Sequence, residues 1–340
     1  MSIEVSIAES PDFKVFQQRA DAAQKLRHAF AFDPTYGFTL SDLLKVQAPE
    51  EPPDFQDFWT RKFTESLRQC TQPKLIDTGV VKGPWRIHEW SHVSTGGFLI
   101  RGWALLPHAG VIRRAFMVGH GYGGRTAPDL DFTFEDSVIV FPCSRGLGRS
   151  SDAQISADSR WHVLHDIHRR DNYIIGKCVE DLWTCVTAIL ELFPDVEGHI
   201  GYLGTSFGGG IGAMALPWDK RIQRANLIVP TFGNQPLRLR LPTTGSAASL
   251  QVFYANNPAT SEVLAYYDAA VAARHILVPV LCACAAFDPV VAPPGQFAIL
   301  NSIPSNKELF VLTAGHHPCR AEIIESQELL QKIHHFFSAI

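Results

Sequence analysis

Phe13, Phe16, Ala20, Ala23, Leu26 and Phe30 recur at spacings of three and four, the rhythm of a helix with one apolar face. An amphipathic N-terminal helix is expected there, docked on its own domain or on another subunit. Ala48-Pro49-Glu50-Glu51-Pro52-Pro53 reads as an extended connector, because each proline disfavours helical backbone in the residue before it. From Leu75 to Leu106 the pattern is that of antiparallel strands. Short unbroken apolar runs then take over at Ala115–Val118, Val138–Phe141, Ile200–Leu203, Leu227–Val229, Val278–Ala286 and Leu309–Leu312. Such runs are strands buried on both faces of a parallel sheet. Lys177 to Phe193 is a long helix between two of them.

Strands alternate with helical segments throughout the region after Phe98, which predicts one large α/β domain with a mostly parallel central sheet flanked by helices. Residues 51–340 form this domain and residues 1–50 an N-terminal helical extension and connector. Residues 231–270, rich in Pro, Thr, Ser, Ala and aromatics, are an insertion able to cover the mouth of a site. Phe232 and Tyr254, with Trp161 upstream, are therefore candidate substrate contacts, and equally good core residues.

The chemistry concentrates at Gly204-Thr205-Ser206-Phe207-Gly208, which follows the apolar run His199–Leu203 and opens into a stretch of small residues. Strand, sharp turn and helix are implied, with a serine lifted above the sheet at the helix N-terminus. The competing reading is a tight turn whose serine only caps the helix. A nucleophilic serine needs a base and a carboxylate, and the α/β-hydrolase chain order is Ser, acid, His. Asp288 ends the run Val278–Ala286, and His316 follows the strand Lys307–Leu312. His316 is preferred to His317 for its place directly after Gly315. Asp219, Glu262 and Asp268 compete for the acid, but none follows a long apolar run, and they read as solvated carboxylates. Two backbone N–H groups must hold the oxyanion. Phe207 supplies one, and the Gly121-Tyr122-Gly123-Gly124 loop supplies the other through Tyr122.

These residues carry a resemblance. The chain resembles the acetyl xylan esterase and cephalosporin C deacetylase family of α/β-hydrolases through Pro53–Trp59, Gly121–Gly124, Arg145–Asp152, the serine turn, Tyr266–Asp268, Asp288–Pro294, Asn301–Ile303 and Gly315-His316. The resemblance implies Ser206 as nucleophile, His316 as base, Asp288 as its orienter, the Tyr122 and Phe207 amides as oxyanion donors, and no cofactor. It also implies a ring-like homo-oligomer that restricts access to small or short-chain esters. Three positions depart from the family pattern: Leu147 and Phe207 replace glutamines, and His317 replaces a glutamate. Arg145 is expected to pair with a carboxylate under the serine turn.

Composition narrows the remaining options. At 340 residues, 46% hydrophobic and 19% charged, the chain can bury a large core, and a net charge of -4 offers no field for nucleic acid. The longest apolar run, Ile276 to Phe287, is too short to span a membrane. The N-terminus lacks the basic start and apolar centre of a secretory signal. Seven cysteines, an odd count without a C-x-x-C pair, read as reduced and buried in a cytoplasmic protein. Cys282 and Cys284 would share one strand face, yet neither they nor His316, His317 and Cys319 match a common zinc spacing, and no metal is expected. His162, His165 and His168 are expected as exposed loop residues. The implied reaction is removal of acetyl or short acyl groups from hydroxyls of small or oligomeric substrates, such as acetylated xylo-oligosaccharides or cephalosporin C-like esters. A thioesterase or short-chain lipid esterase on the same fold, and a noncatalytic ligand-binding protein, are the alternatives.

Overall fold

A computed structural model describes residues 12–132 and 134–340. Among the described residues the antiparallel stretch and the apolar runs become nine strands: β1 (Lys74–Lys82), β2 (Trp85–Val93), β3 (Leu99–Pro107), β4 (Arg114–Gly119), β5 (Ser137–Pro142), β6 (Ile200–Thr205), β7 (Ile222–Ile228), β8 (Val280–Ala285) and β9 (Lys307–Leu312). They form one sheet in the order β1-β2-β3-β5-β4-β6-β7-β8-β9. β1, β2, β3 and β5 pair antiparallel in succession, and every pairing from β5 through β9 is parallel.

The two-residue period of a strand sends alternate side chains to opposite faces, and the faces are covered unequally. On one, Met117, Tyr202 and Cys282 share a core with the helices Phe55–Ser66, Ile174–Leu192, Phe207–Ala215 and Pro293–Ser302. On the other, Phe116, Leu203, Leu281 and Phe310 meet Leu329, Ile333 and Phe337 of the C-terminal helix Glu322–Phe337. Cys284 lies with Cys282 on the first face, buried and reduced.

The N-terminal helix spans only Phe13–Ala23 and docks on its own chain. Phe16 meets Phe310 edge to face, with ring centroids 6.3 Å apart. Arg19 donates to the Val311 carbonyl at 2.9 Å and pairs with Glu325 and Glu328. The helix thereby covers β9, which ends the sheet and would otherwise present an open edge. The apolar period would have carried the helix on to Phe30. Instead the chain leaves it, and Phe30 packs against Phe287 and His317, at centroid distances of 6.5 and 5.5 Å. Packing between distant segments outweighs the few tenths of a kcal/mol per residue by which helix propensity acts.

The expected carboxylate partner of Arg145 is Asp181, on the helix Ile174–Leu192, with Nε at 3.0 Å from Oδ2 and both side chains buried. Ser94 completes the arrangement by donating to Asp181 at 2.6 Å. Three sequence expectations are corrected. His162 is buried, not exposed, because Tyr122 donates to its Nδ1 at 3.2 Å while its Nε2 meets the Arg145 carbonyl at 3.0 Å. Asp219 is buried against Arg221 rather than solvated. Asp268 is buried as well, accepting from the amides of Asn234, Gln235 and Ala270, and burial raises its pKa to about 6.

Candidate active site

β6 ends at Thr205 and the following helix begins at Phe207, leaving Ser206 alone at the turn with φ of 54° and ψ of -106°. That backbone is strained for a residue with a side chain, and it persists because both ends are held. Ser206 N donates to Ile228 O at 2.8 Å, and Ser206 O accepts from Thr231 N at 3.1 Å. The turn also needs bare backbone on either side. A Cβ on Gly204 would lie 2.5 Å from Gly208 O, and one on Gly208 would lie 2.7 Å from the Gly119 carbonyl carbon.

The turns after β8 and β9 bring the other two residues to this point. His316, at φ 47°, places Nε2 2.9 Å from Ser206 Oγ and Nδ1 2.8 Å from Asp288 Oδ2. Asp288 is fully buried, and Val290 N, Val291 N and Gln296 Nε2 also donate to it. Since its other partners all present donors, Nδ1–H donates to Asp288 and Nε2 is left to accept from the serine hydroxyl. Burial opposes protonation of His316, but the hydrogen bond and charge of Asp288 outweigh it and raise the pKa above 6.5.

Three contributors escape a reading of the sequence. Gln296 is buried, takes Ala285 N on its Oε1 at 2.8 Å and gives Nε2 to Asp288 at 3.1 Å. Pro34, in the N-terminal extension, accepts from Asp288 N at 3.0 Å. His120 ties three segments together: its carbonyl accepts from Gly208 N, its Nδ1 meets the Gly121 carbonyl, and its Nε2 accepts from Ser144 N. Only His120 had a sequence signal, its place at the tip of an apolar run beside the glycine-rich loop.

Gly121 passes close to the serine, a Cβ placed on it lying 3.8 Å from Ser206 Cβ. Among the described residues, neither the Tyr122 nor the Phe207 amide has a hydrogen-bond acceptor. The Phe207 side chain is fully buried, 4.3 Å from the Tyr122 ring and 5.9 Å from Phe232 by ring centroids. It is a floor beneath the loop, not a group facing a ligand. Phe232 is likewise buried, Tyr254 is half-buried and Trp161 is 63% exposed. Leu147 is core, and His317 lies against Phe30 and Phe287. Among the described residues, no three His, Cys, Asp or Glu side chains gather to hold a metal, and no helix is long and apolar enough to cross a membrane.

The chain is similar to known proteins in family and fold. The acetyl xylan esterase (AXE1) family model matches residues 37–335. Acetyl xylan esterase 1 from Thermoanaerobacterium sp. JW/SL YS485 superposes with a TM-score of 0.73 at 19% identity, over 88% of this chain and 99% of the other. Acetyl xylan esterase from Paenibacillus sp. R4 gives 0.75 at 19% identity, over 87% and 99%. An acylaminoacyl peptidase from Pyrococcus horikoshii gives 0.60 at 14% identity, over 76% of this chain and 42% of that one. The fold is that of the α/β-hydrolases, and with most of its length matched the chain belongs to the acetyl xylan esterase (AXE1) family of serine carboxylic ester hydrolases.

Proposed function

We propose that this protein is a serine deacetylase that removes acetyl groups from hydroxyls of small or oligomeric substrates through an acyl-enzyme. The observation that carries the reading is the unbroken hydrogen-bonded series Asp288–His316–Ser206, at 2.8 and 2.9 Å. Ser206 Oγ attacks the ester carbonyl carbon as His316 Nε2 takes its proton, and the carbonyl oxygen, now negative, is held by the Tyr122 and Phe207 amides. The tetrahedral species collapses, the bond to the alcohol oxygen breaks, and His316 returns the proton to that oxygen. Water then attacks the acyl-enzyme with His316 again as base, the ester bond to Ser206 breaks, and acetate leaves. Asp288 holds the imidazole tautomer and faces the imidazolium. No cofactor enters any step.

Hydrolysis of p-nitrophenyl acetate by the wild type and by Ser206→Ala is the test. Turnover reduced about 10³-fold or more in the variant supports the reading, and equal slow rates in both sink it. Turnover of acetyl, butyryl and octanoyl esters of one alcohol sets the acyl length, with a preference for octanoyl overturning the deacetylase. The homo-oligomer implied by the family resemblance is supported by the exposed apolar residues Ile76, Val80 and Val81 on the edge strand β1. Light scattering that shows a monomer at micromolar concentration removes it.

A further inference from the structure

Two neighbouring parallel strands are ordinarily joined by a crossover helix that covers one face of the sheet. Between β4 and β5, residues 120–136 contain no helix among the described residues. The C-terminal helix is therefore the main cover on that face, and a cavity of about 830 Å³ lies beside it. The sheet lines this cavity with Val118, Leu203 and Ile228, the crossover with Phe132 and Phe134, and the C-terminal helix with Leu329. Most of its charged groups are paired or at its edge: an Arg125 terminal nitrogen pairs with Asp129, Glu325 accepts from Thr313, and Asp131 and Glu322 are exposed, while Arg125 Nε is buried with no hydrogen-bond partner among the described residues. A space of this size and character suits an apolar organic group.

Its position relative to the reacting atoms selects which part of an ester it would hold. Gly315, His316 and His317 form part of its wall, whereas Ser206, Tyr122 and Phe207 do not. In the proposed reaction the acyl oxygen faces the two amides, and the departing alcohol must lie where His316 can protonate it. Of Ser206, Asp288 and His316, only His316, the group that must protonate the alcohol, lines the cavity. We propose that the cavity is an alcohol-binding subsite, and that the preferred substrates are acetate esters of apolar, aryl- or cycloalkyl-bearing alcohols. This inference rests on the serine-esterase reading and narrows its substrate class. The chemistry is unchanged: His316 gives its proton to the alcohol oxygen as the ester C–O bond breaks, and the apolar remainder stays in the cavity until release.

The experiment compares kcat/KM for 2-phenylethyl acetate and 2-methoxyethyl acetate, whose alcohols are of similar acidity, so that leaving-group reactivity largely cancels. The wild type is expected to favour the phenylethyl ester at least tenfold. Ser326 and Leu330 line the cavity from the exposed flank of the C-terminal helix, so Ser326→Trp and Leu330→Trp fill it with little risk to the fold. Each is expected to cut the ratio of the two kcat/KM values at least fivefold and to weaken calorimetric binding of 2-phenylethanol. Equal wild-type kcat/KM for the two esters, or a ratio unchanged in both variants, overturns the subsite. A wild-type preference for octanoate over acetate that these variants abolish reassigns the cavity to the acyl chain and also overturns it. Loss of the esterase reading looks different: no ester, p-nitrophenyl acetate included, would turn over above the Ser206→Ala background.

Discussion

At the scale of single residues, the proposed base is tuned by two opposed effects. Burial disfavours protonated His316, while the hydrogen bond and charge of Asp288 favour it more strongly, so the pKa lies above 6.5. Because the attacking serine needs neutral His316, kcat/KM is expected to fall about tenfold per pH unit on the acid side, with a midpoint above 6.5. Asp288→Asn leaves burial as the dominant influence, so the midpoint should drop below 6.5 and kcat should fall about 10⁴-fold. An unmoved midpoint in the pH profile would show that Asp288 does not set it. Gln296 is tested separately. Gln296→Leu deprives Asp288 of a donor and leaves Ala285 N unpaired, and urea unfolding is expected to show a loss of about 1–3 kcal/mol alongside a lower kcat. No motif pointed to Gln296, since its partners are made by the turn after β8 and not by its sequence neighbours.

At the scale of elements, the serine turn depends on how closely β4, β6 and the following helix approach. A Cβ on Gly208 would sit 2.7 Å from Gly119 C and 3.0 Å from His120 O, both backbone atoms that cannot swing aside. Gly208→Ala is expected to destabilise by about 1–3 kcal/mol and to lower esterase turnover, both read on the purified variant by urea unfolding and p-nitrophenyl acetate hydrolysis. Full stability would mean that the strands yield more easily than the packing suggests. The strand–turn–helix at this point was legible because its signals are local: an apolar run, then Gly-x-Ser-x-Gly, then small residues. The end of the N-terminal helix was not, since Phe30 is drawn away by Phe287 and His317, more than 250 residues on.

Across the whole molecule, His92, His120 and His162 are buried, and burial lowers each pKa from 6.5 to about 4. Each is also an acceptor through one ring nitrogen, from Trp90, Ser144 and Tyr122 respectively, a role that protonation abolishes. Below pH 6.5 the unfolded chain binds protons that the folded one refuses, so the stability these groups hold above that pH is lost as pH falls toward 4. Each can remove about 3 kcal/mol by pH 4, against a typical total of about 5–15 kcal/mol. Urea unfolding at pH 7.5 and 4.5 is expected to show a large drop in midpoint. Equal midpoints would mean that these histidines are protonated in the native state.

By itself the sequence determined which segments are strands, where the sheet turns from antiparallel to parallel, and which serine, acid and histidine stand at strand tips. Those features are written in short-range periodicity and in turn residues, which act on near neighbours. Only the tertiary structure decided that Pro34 and Gln296 hold Asp288, that Phe207 lies beneath the loop rather than facing a ligand, and that His162 is buried. It also decided that a crossover with no helix among its described residues runs past a cavity beside His316. Each depends on groups far apart in the chain meeting at particular distances, and hydrophobic periodicity specifies which face of an element is buried, not what it is buried against.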